Sequence, residues 1–212
     1  MLGSISRVLI LIPFFSYSLI QNDTISSVDL DEVIVKSAKI VSSKKNTPLS
    51  ISSKNLFYDQ QFSQQLSLQE YLNNIPGVFS TSANNFSQDL RLSIRGFGAR
   101  SSFGIRGIKI IVDGIPQTSP DGQTQLDNLP MGIMETIEVI RGPSANLYGN
   151  SSGGVITINT ISGDSDNITN YKGIIGSYDY KSVVRLKTFN WENTDLVLYY
   201  DNKESNGYRE LS

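Results

Sequence analysis

The sequence predicts an α+β domain with a small mixed sheet and short helices, followed by two or three antiparallel strands. Residues 134–160 have the pattern of a strand, a short helix and a second strand, with glycine or proline at each joint. Two shorter runs of strand-like composition, 90–95 and 108–112, precede this unit. From residue 171 onward, longer runs alternate between apolar and polar residues. We therefore expect one domain over 54–163 and a separate group of strands over 170–212.

The best-defined unit is METIEVIRGPSANLYGNSSGGVITINT, at 134–160. An apolar strand at Ile137–Ile140 leads through Arg141 and Gly142 into one predicted helical turn at Ser144–Tyr148. Pro143 suits the first turn of a helix, because the N–H that proline lacks has no partner there. Gly149 suits the exit of that helix, where a positive φ is needed.

The elements upstream of this unit follow from capping and turn signals. Ser67–Glu70 has the S-x-x-E pattern of a capping box and predicts a helix that ends at Ile75-Pro76-Gly77. Leu90–Arg95 alternates apolar and polar side chains, which predicts a strand with two different faces. Ile108–Val112 predicts the next strand, and Asp113-Gly114 predicts a tight turn at its end. The loops between these elements are polar and rich in glycine or proline.

The N-terminus has the features of an exported protein. Residues 1–18 combine a basic start, the apolar run Val8–Phe15 and a small-residue pattern that ends at Ser18, which predicts a secretory signal peptide. A membrane anchor is the alternative, but the run is shorter than the ~20 residues of a spanning helix and contains Pro13. Residues 19–53 are mostly polar and predict a flexible leader.

Composition excludes several classes of function. The 212 residues carry a formal net charge of −2, which does not favour nucleic-acid binding. The chain contains no cysteine and no histidine, so it cannot build Ser-His-Asp or Cys-His catalysis, thiolate zinc sites or disulfides. Ser42-Ser43-Lys44-Lys45 matches S-x-x-K by letter but lies in the leader, without the partner motifs of that enzyme class. We predict no enzyme activity, no resident metal and no cofactor.

Four ordered motifs resemble those of one protein family. VIRGPSANLYGNSSGGVITI resembles the signature that closes the plug domain of TonB-dependent outer-membrane receptors. LSLQEYLNNIPGV, LRLSIRGFGAR and IKIIVDGIPQ precede it in the order and at the spacing found in that family. The resemblance implies a signal peptide at 1–18, a leader at 19–53, a plug domain at 54–163 and the first strands of a transmembrane β-barrel at 170–212.

The resemblance also implies a function and its partners. A receptor of this kind lies in the outer membrane of a Gram-negative bacterium and contacts its lipid, and its plug gates the barrel lumen. TonB, with its inner-membrane energising complex, moves the plug so that a scarce small molecule enters. A ferric siderophore or other iron chelate is the expected substrate, with haem, corrinoid, oligosaccharide and thiamine-like cofactors as alternatives.

One segment of the leader resembles a TonB box, the extended segment through which such receptors contact TonB. An acidic start precedes β-branched residues there, and an extended segment can add as a strand to a partner's sheet. The alternative is that these residues are simply the first strand of the domain. The predicted box consists of Asp31, Glu32, Val33, Ile34 and Val35.

The resemblance assigns two further groups of residues. Arg95 and Arg141 match arginines that in relatives pair with glutamates of the barrel wall; a solvated or internal arginine is the alternative for each. The predicted substrate contacts lie in loops, where guanidinium groups suit an anionic chelate. These contacts are Arg100, Ser101, Ser102, Phe103, Arg106, Gln117, Asp121 and Gln123.

The length of the chain sets a limit on this interpretation. The family's barrel has about 22 strands, and two or three strands cannot close it without leaving backbone groups unpaired in hydrocarbon. We therefore expect an N-terminal fragment, a truncated gene product or an incomplete reading frame. The rival interpretation is an exported soluble binding module that shares the plug fold.

Overall fold

The computed structural model describes residues 34–35, 42–43, 48–81, 90–102, 104–126, 129–162, 167–192 and 194–207. All of them belong to one of the two compact units of the chain, Glu32–Ser212. The predicted signal peptide, and Asp31, Glu32 and Val33 of the predicted TonB box, lie outside the described residues.

The elements in chain order are β1 (Ile34–Val35), β2 (Ser42–Ser43), β3 (Ile51–Asn55), α1 (Phe57–Phe62), α2 (Gln69–Leu72), β4 (Val78–Thr81), β5 (Arg91–Ile94), β6 (Ile105–Arg106), β7 (Ile108–Val112), β8 (Ile115–Pro116), β9 (Gln123–Thr124), a 3-10 turn (Met131–Ile133), β10 (Met134–Arg141), α3 (Ala145–Tyr148), β11 (Gly154–Thr160), β12 (Thr169–Ile175), β13 (Lys181–Trp191) and β14 (Thr194–Glu204).

A five-stranded mixed sheet organises the domain. Its strand order is β3-β10-β11-β7-β8, with β11 and β7 parallel and the other neighbours antiparallel. The pairs β4-β5 and β6-β9 form two small ladders beside it. The predicted small mixed sheet with short helices is therefore confirmed.

The main core lies between one face of this sheet and the helices. It includes Ile110, Ile137, Val139 and Ile156 from the sheet, each of them fully buried. Tyr71 of α2 also belongs to this core, and its hydroxyl is 2.9 Å from Ser63 Oγ. Burial raises the pKa of Tyr71 to about 12, so its phenol stays neutral in the core.

The predicted capping box has a different form in the structure. Helix α2 spans only Gln69–Leu72. Ser67 Oγ accepts the N–H of Gln69 at 3.3 Å, as an N-terminal cap would. The Glu70 carboxylate instead accepts N–H groups of residues 64, 65 and 66, at 2.8–3.3 Å. Glu70 therefore closes the preceding turn rather than returning to the cap residue.

The unit at 134–160 folds as its sequence predicts. Strand β10, helix α3 and strand β11 follow one another, and Gly149 has a φ of +62° at the exit of α3. Pro143 precedes the helix rather than occupying its first turn, because Ser144 O accepts the first helical N–H groups. Gly154 begins β11 with a φ of +145°, and a Cβ there would lie 2.2 Å from Ile140 O.

A separate three-stranded antiparallel sheet, β12-β13-β14, follows the domain; we call it the C-terminal sheet. Its inner face includes four buried side chains of β13: Ser182, Val184, Leu186 and Thr188. In β13, Val184 and Leu186 are buried while Arg185 and Lys187 are exposed. Val184 and Leu186 face inward because this face packs against the domain, whereas Val183 and Trp191 are exposed on the other face.

Three contacts hold the C-terminal sheet against the domain. Lys172 Nζ donates to the carbonyl oxygens of Gln60 and Ser63, at the end of α1. The Tyr180 hydroxyl donates to Gln64 O at 3.4 Å. The Tyr199 ring lies against Gly132, where a Cβ would be 2.6 Å from a ring carbon. Within the described part of the chain, no helix combines the length and apolar character needed to cross a membrane.

Candidate functional site: a polar loop cavity and an arginine pair

In the loop that follows β8, inward-facing and surface side chains alternate except at Pro120, which is also exposed. Thr124 and Leu126 are buried and Thr118 is half-buried, whereas Gln117, Ser119, Asp121 and Gln125 are exposed and Gln123 is half-buried. Thr118 Oγ1 accepts the N–H of Ile110 at 3.2 Å and the Thr124 hydroxyl at 2.8 Å. The inward threonines thus attach the loop to β7, and the odd-numbered side chains from Gln117 to Gln125 remain at the surface of the loop.

A tight turn shapes the tip of this loop. Gly122 N donates to Ser119 O at 2.9 Å, and Ser119 N donates to Gln123 O at 2.8 Å. Asp121 Oδ1 accepts the N–H of Gln123 at 3.2 Å. Gly122 has a φ of +81°, which strains the backbone of any other residue, and a Cβ there would lie 2.7 Å from Asn150 Nδ2 and would displace that side chain.

The exposed side chains of this loop line a polar concavity of about 400 Å³, which we call the loop cavity. Oxygen and amide groups dominate its wall, so it offers hydrogen bonds to a ligand rather than an apolar surface. Three of the predicted substrate contacts meet here. The lining residues are Gln117, Ser119, Asp121, Gln123 and Gln125.

Arg106 lies at the edge of the loop cavity because β6 pairs with β9, which places Arg106 opposite Gln123. Its Nη2 is 4.0 Å from Asp121 Oδ2 and 3.5 Å from Gln123 Oε1. Both members of the ion pair are more than half exposed, so the pair is weak and a ligand can compete for it. Asp121 nevertheless offsets part of the positive charge of Arg106.

The other predicted contacts lie in the turn between β5 and β6. Ser101 N donates to Gly98 O at 3.1 Å, and Arg100 is exposed. Phe103 lies outside the described residues. A Cβ on Gly104 would be 2.8 Å from Gln123 Nε2, so the end of this turn touches the loop cavity. Arg100 and Ser102 lie on the same connection, and both are exposed.

Arg95 and Arg141 lie side by side although they are far apart in the sequence; we call them the arginine pair. A Cβ on Gly77 would be 3.5 Å from Arg141 Cδ and 3.8 Å from Arg95 Cγ. Arg141 Nη1 donates to Pro76 O at 2.8 Å, and Arg95 Nη2 donates to Ser50 Oγ at 3.4 Å. Among the described residues, no carboxylate lies within 4.0 Å of either guanidinium.

Arg141 has one further feature. Its Nε is buried and has no hydrogen-bond partner within the part of the chain that the structure describes. A buried donor on a charged group is costly unless it is paired. Among the described residues, nothing offsets the cost of burying this donor.

The described part of the predicted TonB box is a short strand. Ile34 pairs with Ser43 and Val35 with Ser42. Strand β1 has no second strand neighbour among the described residues. One edge of β1 is therefore open in this part of the structure.

The family of the chain follows from a comparison with known proteins. Residues 43–155 match the family described as TonB-dependent Receptor Plug Domain, and this match covers more than half of the 212 residues. The chain belongs to this family.

Individual relatives and solved structures agree with the family. Vitamin B12 transporter BtuB of Vibrio vulnificus is 32% identical over 103 residues, which are 48% of this chain and 16% of that protein. A hemin receptor of Yersinia enterocolitica is 36% identical over 94 residues, 43% of this chain and 12% of that protein. The pyoverdine outer membrane receptor FpvA of Pseudomonas aeruginosa is 19% identical, with a TM-score of 0.57, over 81% of this chain and 25% of that one. The similarity to FpvA shows the fold.

Each of these matches spans a quarter or less of the relative's own length. These relatives are transport proteins and receptors, not enzymes. The plug domain is thus the part of the chain that the comparison defines.

Sequence reasoning missed two members of the plug domain's loop cavity, Ser119 and Gln125. Their signal was present as the spacing of polar residues at every second position from Gln117 to Gln125. That periodicity predicts one exposed face, but turn residues at 119–122 obscured it.

Proposed function

We propose that this chain is the N-terminal part of a TonB-dependent outer-membrane receptor for energised uptake of a ferric siderophore or other iron chelate. The observation that carries the proposal is the plug domain over 43–155. A three-stranded antiparallel sheet of alternating character packs against it and supports a barrel wall beginning at β12. Export through the signal peptide at 1–18 and location in a Gram-negative outer membrane are part of the proposal.

The substrate proposal rests on the loop cavity and the adjoining turn. Arg100 and Ser102 of the turn, with Gln117, Asp121 and Gln123 of the cavity wall, are proposed to contact the chelate. Ser101, Phe103 and Arg106 complete the proposed set. The names of two relatives keep hemin and vitamin B12 as alternative substrates.

The arginine pair is proposed to hold the plug against the barrel wall. Arg95 and Arg141 have no carboxylate within 4.0 Å among the described residues, and glutamates of the barrel would supply one. The leader segment 31–35 is proposed as the TonB box, and TonB with its inner-membrane energising complex as the partner that moves the plug.

Energised uptake is the test of the proposed function. Cells that carry the complete receptor are expected to accumulate a ferric chelate labelled with radioactive iron. A protonophore should abolish accumulation but not surface binding, because only transport draws on the proton gradient. A strain without TonB provides the control. Accumulation that persists at full rate with the protonophore would contradict the proposal.

Replacing Arg100 by alanine tests the substrate contact. For an anionic chelate we expect binding to weaken about tenfold, which corresponds to about 1.4 kcal/mol, because one charge-assisted hydrogen bond is lost. Binding of the chelate to the purified receptor is the measurement, and heat-modifiable migration on gels checks barrel assembly. The matched control is Arg91→Ala, since Arg91 is an exposed arginine on β5. Equal affinity in both variants would remove Arg100 from the site.

A further inference from the structure

The C-terminal sheet has an inner and an outer face that the structure distinguishes. Lys172 and Tyr199 contact the plug domain, and alternate residues of β13 are buried on that same side. Side chains of a strand alternate between the two faces. The residues between the buried ones therefore point away from the plug domain.

This outer face is largely apolar and aromatic. Seven of its large side chains are 40–87% exposed, which is unusual for so many apolar groups on one surface. Phe189 and Trp191 stack at its end, with ring centroids 5.7 Å apart. The exposed apolar side chains are Tyr171, Ile175, Val183, Trp191, Leu196, Leu198 and Tyr200.

Two cations stand on this face, at the border between its apolar end and an end with charged and amide side chains. The polar end carries Lys181, Asn202 and Glu204. Arg185 lies opposite Tyr171 on β12 and Tyr200 on β14. Lys187 lies one row further along, opposite Leu198. Together these five side chains line most of a cleft of about 230 Å³, which we call the basic cleft.

The charges of the basic cleft have no counter-ion within the described residues. No carboxylate lies within 4.0 Å of Arg185 or Lys187 there. Lys187 Nζ is 4.7 Å from the centroid of the Phe189 ring, a contact that leaves its hydrogen-bond donors open. On the same face, Glu204 lies opposite Lys181, and Lys181 precedes Arg185 by four residues in β13.

An uncompensated cation on a lipid-facing strand is costly. Arg or Lys at the midplane of a barrel wall is strongly destabilising, and the cost falls towards zero near the headgroups. Tyrosine beside arginine is also typical of the headgroup level, where an apolar ring and a polar hydroxyl are both satisfied. An anion at that level would pair with both cations.

We propose that the basic cleft binds the phosphate of a membrane-lipid headgroup. Arg185 and Lys187 pair with the phosphate, the hydroxyls of Tyr171 and Tyr200 border it, and the acyl chains lie along the apolar part of the outer face. This inference rests on the proposed function, which puts the outer face of the C-terminal sheet against the membrane. It assigns a lipid contact to two residues that no transport step requires.

Native mass spectrometry of the complete receptor in mild detergent tests the proposal. The probes are dioleoyl phosphatidylglycerol, dioleoylglycerol, which has the same chains without phosphate, and inorganic phosphate. The cleft variant is Arg185→Gln with Lys187→Gln. The control variant, Lys181→Gln with Arg91→Gln, removes the same charge from an end of the outer face and from the plug domain.

The wild-type receptor is expected to bind phosphatidylglycerol at least tenfold better than dioleoylglycerol. The cleft variant is expected to lose at least fivefold in phosphatidylglycerol adducts, while the control variant keeps them. Equal adducts in the cleft and control variants would overturn the proposal, as would displacement of the lipid by an equal concentration of inorganic phosphate. If the cleft variant does not assemble, the comparison of the two lipids on the wild-type receptor decides alone.

The same variants separate this inference from the proposed function. If the cleft variant keeps its lipid adducts but the receptor shows energised uptake, only the lipid site is wrong. If lipid binding follows the expected pattern but uptake does not depend on the proton gradient, only the transport proposal fails.

Discussion

Replacing Ile34 by proline in the complete receptor is expected to abolish energised uptake while substrate binding stays unchanged. Ile34 lies in β1, whose second edge is open among the described residues. A partner strand that adds there depends on main-chain hydrogen bonds. Proline removes the N–H at this position and fixes φ, so the added strand would lose a donor in its centre.

Accumulation of a labelled ferric chelate and its binding at the cell surface are the two measurements for this variant. Ser43→Pro is the matched control, because Ser43 pairs with Ile34 from the other strand and lies outside the predicted TonB box. We expect the control to keep most of its uptake. Unchanged uptake by Ile34→Pro would remove segment 31–35 as the energy-coupling site. Equal loss in both variants would show that the β1-β2 ladder, rather than a partner strand, is what the proline disrupts.

Replacing Gly154 by alanine is expected to destabilise the plug domain by about 3 kcal/mol or more, in the range of strained or clashing core substitutions. The new Cβ would lie 2.2 Å from Ile140 O, a backbone atom of the neighbouring strand. That oxygen cannot move away easily, because Ile140 is paired on both sides, with Val155 and Ile51. The φ of +145° adds backbone strain.

The free energy of unfolding of each variant is measured by urea unfolding followed by circular dichroism. Two other glycines provide graded controls. Gly149 has a φ of +62°, but a Cβ added there would meet no atom within 4 Å, so Gly149→Ala should cost only about 1 kcal/mol from strain. Gly173 has neither a positive φ nor a close neighbour, so Gly173→Ala should be close to neutral. A Gly154→Ala variant as stable as Gly173→Ala would show that β10 and β11 can separate there.

The parts of the fold that sequence predicts well are those where local signals and tertiary packing agree. Strand β10, helix α3 and strand β11 are separated by glycine and proline at positions that need them. Asp113-Gly114 predicts a tight turn, and both residues have a positive φ in the structure. The Asp113 carboxylate also accepts hydrogen bonds from the N–H and the hydroxyl of Thr160, at 2.8 Å each. No local sequence pattern predicts this contact.

Strand β3 and helix α1 were not predicted, because local propensity is weak in both. The sequence of β3 is ISSKN, with a single β-branched aliphatic residue. It forms a strand because the edge of β10 pairs with it over five residues. Gln60 in α1 is held by a side-chain bond to Met131 O, 71 residues away. Tertiary contacts of this range are not visible in a local pattern.

The candidate site was predictable by residue but not by arrangement. The resemblance identified Arg95 and Arg141, yet only the fold shows that both lie against Gly77. It also identified Arg106 as an anion contact, whereas the structure places Asp121 within 4.0 Å of it. Strand pairing between β6 and β9 brings these two side chains together, and sequence spacing does not predict that pairing.

The position of β3 at the edge of the sheet has a mechanical consequence. Among the described residues, strand β3 is held by one ladder, to β10, and its first three residues, 51–53, form the C-terminal end of the segment predicted as the leader. A pulling force applied to the leader would therefore load this ladder before any other part of the sheet. The next element along the chain is α1, where Lys172 Nζ of β12 donates hydrogen bonds to the carbonyl oxygens of Gln60 and Ser63. A pull from the N-terminal side would thus first separate β3 from β10. It would then load the contact between α1 and Lys172 of the C-terminal sheet.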